Sequence, residues 1–169
     1  MLHNKMLHRP MAYALAFLFG ALISVGHADQ SVLDRYVGNW TVHLKTLQPE
    51  RSEITYTERY KWVLDHKFLF GETGGKPDGT TDRIYGTYDS HARGYPFWIF
   101  SSTGTYLYLA PATWHQRKQM LEWKNPKGLD VIYRTQCVFP SKNVRSCKMV
   151  LKNWAGQVLL EQEWIATRK

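Results

Sequence analysis

The feature that most constrains this chain is a series of ten short, strand-like runs that begins at Gly38 and continues to residue 168 without a sustained helical period. In the first, Trp40, Val42 and Leu44 alternate with Thr41, His43 and Lys45, the two-residue period of a strand with one buried face. The others cover roughly 51–64, 67–73, 80–89, 95–101, 105–114, 118–124, 129–139, 144–152 and 157–168, and are rich in aromatic and β-branched residues. Turn chemistry separates them, as in Gln48-Pro49-Glu50, Gly74-Gly75-Lys76-Pro77-Asp78-Gly79, Ser102-Thr103-Gly104, Asn125-Pro126-Lys127-Gly128 and Asn153-Trp154-Ala155-Gly156. Short, evenly spaced strands with no helices between them predict consecutive antiparallel pairing, and closure into an up-and-down barrel removes the exposed edges. The expected fold is therefore an all-β antiparallel barrel of about ten strands, with a two-sheet sandwich as the alternative. The polar lead from residue 29 ends in Val32-Leu33-Asp34-Arg35-Tyr36-Val37, which reads as a short helical turn plugging one end.

Inner and outer faces can be assigned within several runs. In 51–64, Ile54, Tyr56, Tyr60, Trp62 and Leu64 share a face with Glu58, which places a carboxylate among aromatics; Thr55, Thr57, Arg59 and Lys61 take the other face. In the last run Val158, Leu160, Gln162, Trp164, Ala166 and Arg168 fall together, giving Arg168 inner parity where a barrel would close. Cys137 and Cys147 flank the turn Ser141-Lys142-Asn143. If they are directly opposed, Tyr133 faces Leu151 and Thr135 faces Met149, while Asp130, Arg134, Gln136, Lys148 and Lys152 collect on the opposite face. Apolar and charged sets separate in that register, so the hairpin and a Cys137–Cys147 disulfide support each other. The role assigned to the pair is structural, because the spacing is not Cys-x-x-Cys.

Residues 1–28 read as a secretory signal peptide: a basic start (Lys5, Arg9), an apolar run over 11–25, and Gly26-His27-Ala28 before the cleavage point. The apolar run is shorter than the ~20 residues a membrane span needs. No cysteine lies there to carry a lipid. Cleavage after Ala28 leaves residues 29–169 as a single domain, exported to a periplasm or secreted, where two cysteines can pair. The leader carries two of the 22 Lys and Arg and none of the 14 Asp and Glu, so the mature charge is +6. That balance permits anionic contacts without establishing them, since Lys and Arg are spread along the chain.

The Gly38-Asn39-Trp40 entry to the first strand, Arg168 near the end of the last and the barrel between them resemble the calycins, the lipocalins and their relatives. The resemblance implies that Gly38, Trp40 and Arg168 close the barrel, with the tryptophan across one end and the arginine over its ring, a contact worth ~0.5–2 kcal/mol. Any ligand is then expected at the other end. Trp62-Val63-Leu64-Asp65-His66-Lys67-Phe68-Leu69, Tyr85-Gly86-Thr87-Tyr88-Asp89 and Phe100-Ser101-Ser102-Thr103-Gly104 are similar to an uncharacterised bacterial family of exported lipocalin-like domains. Two departures stand out. Lipocalins proper have eight strands, and the Arg-x-Tyr with which fatty-acid-binding relatives hold a carboxylate near the C-terminus occurs here only mid-chain, as Arg83-Ile84-Tyr85.

Catalytic and metal chemistry finds little support. His43, His66, His91 and His115 are isolated, the first on an outer face and the others in or beside turns, so no metal site and no cofactor is expected; a haem ligand near the C-terminus is missing, as no His follows His115. There is no Gly-x-Ser-x-Gly, and the only acid near Glu58 is Glu72. Aromatics interleaved with basic residues are assigned to packing rather than to nucleic acid.

The function expected is that of an exported, monomeric, non-catalytic protein binding a small, partly apolar molecule. Tyr56, Glu58, Tyr60, Trp62, Tyr106, Tyr108 and Tyr133 are expected to line the site. Glu58 is either a buried group satisfied by Arg or Tyr or the ligand's polar anchor. The alternatives are an enzyme using Glu58 as acid or base, and a filled barrel acting as an envelope interaction module through an exposed aromatic patch around Tyr95, Trp98 and Trp114.

Overall fold

The two-residue period becomes a closed wall. The computed structural model describes residues 31–125 and 131–169; the expected signal peptide, together with Asp130 and most of the Asn125-Pro126-Lys127-Gly128 turn, lies outside the described residues. A 3₁₀ turn at Leu33–Arg35 precedes β1 (Gly38–Gln48), β2 (Ser52–Val63), β3 (Phe68–Gly74), β4 (Asp82–Gly86), β5 (Tyr95–Ser101), β6 (Tyr106–His115), β7 (Met120–Lys124), β8 (Val131–Ser141), β9 (Val144–Asn153) and β10 (Val158–Arg168). Each strand pairs antiparallel with its sequence neighbour and β10 returns to β1, so no edge is left open. The closing ladder sets Trp40 opposite Arg168 on β10 and opposite Glu58 on β2.

The barrel has two different ends. The β2–β3, β4–β5, β6–β7 and β8–β9 connections lie at one, where the 3₁₀ turn inserts buried Val32, Leu33 and Tyr36. The β1–β2, β3–β4, β5–β6, β7–β8 and β9–β10 connections lie at the other, which is open. Cys137 and Cys147 are bonded across β8 and β9 and face the interior, with Tyr133 opposite Leu151 and Thr135 opposite Met149.

Three local expectations need correction. Leu64 was expected on the inner face of the second run, but β2 ends at Val63, and Leu64, Asp65 and His66 turn the chain with positive φ, leaving Leu64 exposed. The fourth strand stops at Gly86, because Asp89 Oδ1 accepts the amides of His91 and Ala92 and bends the chain into a turn. Tyr106 and Tyr108 were expected inside, yet Ile99 pairs with Leu107 and Phe97 with Leu109, so the leucines face inward and the tyrosines outward. The next pair is Tyr95 with Ala112, so β6 holds an extra residue around Ala110-Pro111. This bulge flips the strand's parity midway and accommodates a proline that could not donate to a regular ladder.

Candidate functional site

The closed end is built around Arg145, whose guanidinium is almost fully buried. Arg145 Nη2 donates to Glu58 Oε2 in a short ion pair, and Tyr56 Oη donates to Glu58 Oε1 at 3.3 Å. Cζ of Arg145 lies 4.7 Å from the ring centre of Tyr36, 5.3 Å from Trp40 and 5.6 Å from Tyr60. Three electron-rich faces thus surround a cation on β9 whose carboxylate partner comes from β2, with β10 and β1 between them in the wall. Burial disfavours the charged guanidinium, but the adjacent Glu58 charge outweighs that and raises the pKa.

Trp40 seals the floor of the barrel. Its Nε1 donates to the Tyr36 carbonyl at 2.7 Å, and Arg168 Cζ sits 4.7 Å over its ring while Arg168 Nη2 reaches the Arg35 carbonyl at 3.0 Å. Gly38 has φ +127°, a backbone shape that L residues rarely adopt, and its open side receives the Arg168 stem. Trp62 was expected to line a ligand site. It lies instead beside the plug, donating from Nε1 to Asp34 Oδ1 at 2.7 Å and stacking on His66.

Above this floor lies a cavity of about 180 Å³. Of the seven residues expected to line a site, Tyr56, Glu58, Tyr60 and Tyr133 border it; Trp62, Tyr106 and Tyr108 do not. The rest of the wall is chiefly apolar, with Ile84, Ile99, Leu109, Trp123, Met149 and Trp164, and it rises to Leu107, which is 48% exposed at the open end. The cavity therefore reaches the mouth. Gly71 makes room for Tyr60, since a Cβ there would stand 2.3 Å from the Tyr60 ring.

Burial pushes the hydroxyls of Tyr36, Tyr56 and Tyr60 well above the ordinary phenol value, and the Glu58 charge adds to this while Arg145 partly offsets it. Burial raises Tyr133 to about 12, reduced somewhat by the neighbouring Thr135 hydroxyl. The wall thus presents neutral phenols at any physiological pH. Glu72, the expected neighbour of Glu58, is exposed on the outer face; the second carboxylate at the cavity is Asp82, held by Lys76 at 2.5 Å. Both cavity carboxylates are committed to cations. Among the described residues, no three His, Cys, Asp or Glu gather as a metal site.

Arg145 was missed in the sequence although a signal existed: it stands two residues before Cys147, hence on the same inner face. Tyr36 escaped notice as a wall residue because it belongs to the plug rather than to a strand. The exposed patch around Tyr95, Trp98 and Trp114 that would favour the interaction-module alternative does not form: Tyr95 is buried, and Trp114 is capped by Arg35 at 5.0 Å beside Phe139.

These features define a closed ten-stranded antiparallel barrel, plugged at one end, with an internal cavity open to the other. No family model matches the chain and no curated protein does. Among solved structures it is similar to the S-type phycobiliprotein lyase from Guillardia theta, at 11% identity with a TM-score of 0.48, covering 83% of this chain and 92% of that one. It is also similar to a redesigned β-barrel, at 10% identity with a TM-score of 0.46, covering 82% and 95%. Likeness at this level carries no function across. No helix among the described residues is long and apolar enough to cross a membrane.

Proposed function

We propose that the barrel is a monomeric, exported carrier of the calycin type, which binds one small, partly apolar molecule in its interior without transforming it. The observation that carries this reading is the cavity itself: an apolar wall with a few convergent polar groups, running from the Arg145–Glu58 floor to the mouth at Leu107. Its size limits the ligand. A cavity of ~150 Å³ holds benzene, whereas drug-sized pockets begin near ~300 Å³, so about 180 Å³ suits a single ring or short chain, with anything longer projecting from the mouth.

The floor supports a preference for the ligand's polar end. Nε and Nη1 of Arg145 have no hydrogen-bond acceptor among the described residues, while Glu58 already balances the charge. A neutral acceptor such as a carbonyl oxygen suits these donors, since it would satisfy them without adding a second anion to a buried site. The same ion pair weighs against general acid–base work, because both Glu58 oxygens are occupied. Native mass spectrometry of protein taken from its own export compartment tests the proposal. A stoichiometric adduct of low mass is expected; a clean apo mass from freshly isolated material would refute it.

A further inference from the structure

The acidic residues of this chain are distributed unevenly. Residues 90–160, which run from the β4–β5 connection to the start of β10, contain ten of the 22 Lys and Arg but only two of the 14 Asp and Glu, a net charge of +8. Residues 29–89 and 161–169 contain ten basic and twelve acidic residues, a net of −2. That charge is divided between the two ends: Arg93, Arg117, Lys118 and Lys142 lie at the closed end and Arg145 is buried against Glu58, while Lys124, Arg134 and Lys152 lie toward the mouth. Of the two acids in this stretch, Glu122 is matched by Lys124 and Arg134.

Among the described residues, most exposed large apolar side chains lie toward the open end, and the two that do not, Leu64 and Ile165, lie toward the closed end. Phe100, Tyr106, Leu107 and Tyr108 are exposed where β5 and β6 meet the open end, and Ile132, Trp154 and Leu159 are exposed near the open ends of β8, β9 and β10. All seven fall within residues 90–160. Trp154, 80% exposed, sits on the β9–β10 connection, and Tyr106, 75% exposed, begins β6 beside the β5–β6 turn. Lys152 pairs in register with Ile132.

We infer that the β5–β9 side of the mouth docks on an anionic lipid surface, with Trp154 and Tyr106 seated at headgroup depth. Charge complementarity identifies the surface, since Lys124, Arg134 and Lys152 outnumber Glu122 toward the mouth among the described residues and are drawn to anionic lipid over about a Debye length. The kind of apolar residue identifies the depth. Trp and Tyr combine an apolar ring with a polar edge and favour the membrane–water boundary, whereas an acidic protein would reward the charge and leave these rings without a role. Docking in this pose sets the mouth at Leu107 against the membrane, so a partly apolar ligand passes between lipid and cavity without crossing water. Only this last step rests on the carrier reading; the docking does not.

The test is sedimentation with vesicles of equal parts phosphatidylglycerol and phosphatidylcholine, against vesicles of phosphatidylcholine alone. Binding is expected only to the anionic vesicles at about 20 mM salt and is expected to fall steeply at about 500 mM. The Tyr106→Ser/Trp154→Ser double variant, altered only at exposed positions, is expected to lose about tenfold in partitioning. Leu64→Ser, at an exposed site on the closed end, is expected to bind like the parent. No binding to anionic vesicles, equal binding to neutral ones, or equal loss in Leu64→Ser would overturn the inference. So would full retention by the double variant, which would indicate attraction to any acidic macromolecule. Measuring low-mass adducts on the same samples separates the two claims: an adduct without vesicle binding refutes docking alone, and vesicle binding without an adduct refutes the carrier alone.

Discussion

Replacing Glu58 with Gln removes the counter-charge from a guanidinium that is 2% exposed, without changing the shape of the site. Breaking a buried pair by deleting one partner typically costs ~3–5 kcal/mol, and the Gln carbonyl keeps a neutral hydrogen bond worth ~1 kcal/mol. A loss of about 3 kcal/mol is expected, or about 10 °C in Tm for a domain of this size. Arg145→Met leaves the opposite residue alone, and the two cases differ in kind. A stranded arginine cannot shed its proton, whereas a stranded glutamate can take one up. The Glu58→Gln penalty should therefore be the same at pH 5 and pH 8, while the Arg145→Met penalty should be smaller at pH 5. The Glu58→Gln/Arg145→Met double variant should lose at least ~2 kcal/mol less than the sum of the singles. Urea unfolding followed by tryptophan fluorescence, with the disulfide intact, measures all of these. Single variants within about 1 kcal/mol of the parent, with additive effects, would refute the account of the floor as a coupled buried pair.

Further expectations follow from other parts of the wall. Burial pushes the Glu122 pKa up, but hydrogen bonds from Lys124, Arg134 and Gln136 outweigh it and hold the group at about 2. Its folded value is depressed, so its stabilisation is complete above the unfolded carboxylate range and is lost as the pH falls from ~4.5 towards ~2. Because Lys124 and Arg134 are more than half exposed, Glu122→Gln should cost only about 1 kcal/mol at pH 7 and nothing at pH 2, read from acid-unfolding curves. Tyr133 shows the opposite sign: with a pKa raised to about 12, its contribution is complete below pH ~10 and disappears through pH ~12. A Tyr133→Phe variant should flatten the alkaline limb of the stability profile. The Cys137→Ala/Cys147→Ala variant should lose ~2–3 kcal/mol in urea unfolding, since the bond closes a short loop within one hairpin.

Much of the wall is legible in the sequence because the strand period exposes it. All ten runs correspond to strands, and the register that opposes Cys137 and Cys147 separates the apolar from the charged residues of β8 and β9. Glu58 is legible as an inward carboxylate for the same reason. Parity reasoning fails where the period breaks. In β6 the residues Tyr106-Leu107-Tyr108-Leu109 are apolar on both faces, and only Pro111 hints at the bulge that sends the tyrosines outward. The charge imbalance along the chain escapes a reading of where Lys and Arg occur, since they are spread evenly; it is the near absence of Asp and Glu between residues 90 and 160 that creates it.

The central claim is that a small, partly apolar molecule enters the interior from the open end. The most direct measurement is a methyl-resolved NMR titration of the purified protein with a one-ring ligand carrying a carbonyl, such as acetophenone. The account predicts saturable shifts at the cavity methyls of Ile84, Ile99, Leu109 and Met149, with Leu64 and Ile165 on the outside unmoved. No saturable shift at the cavity methyls, or shifts confined to exposed methyls such as Ile132 and Leu159, would contradict it.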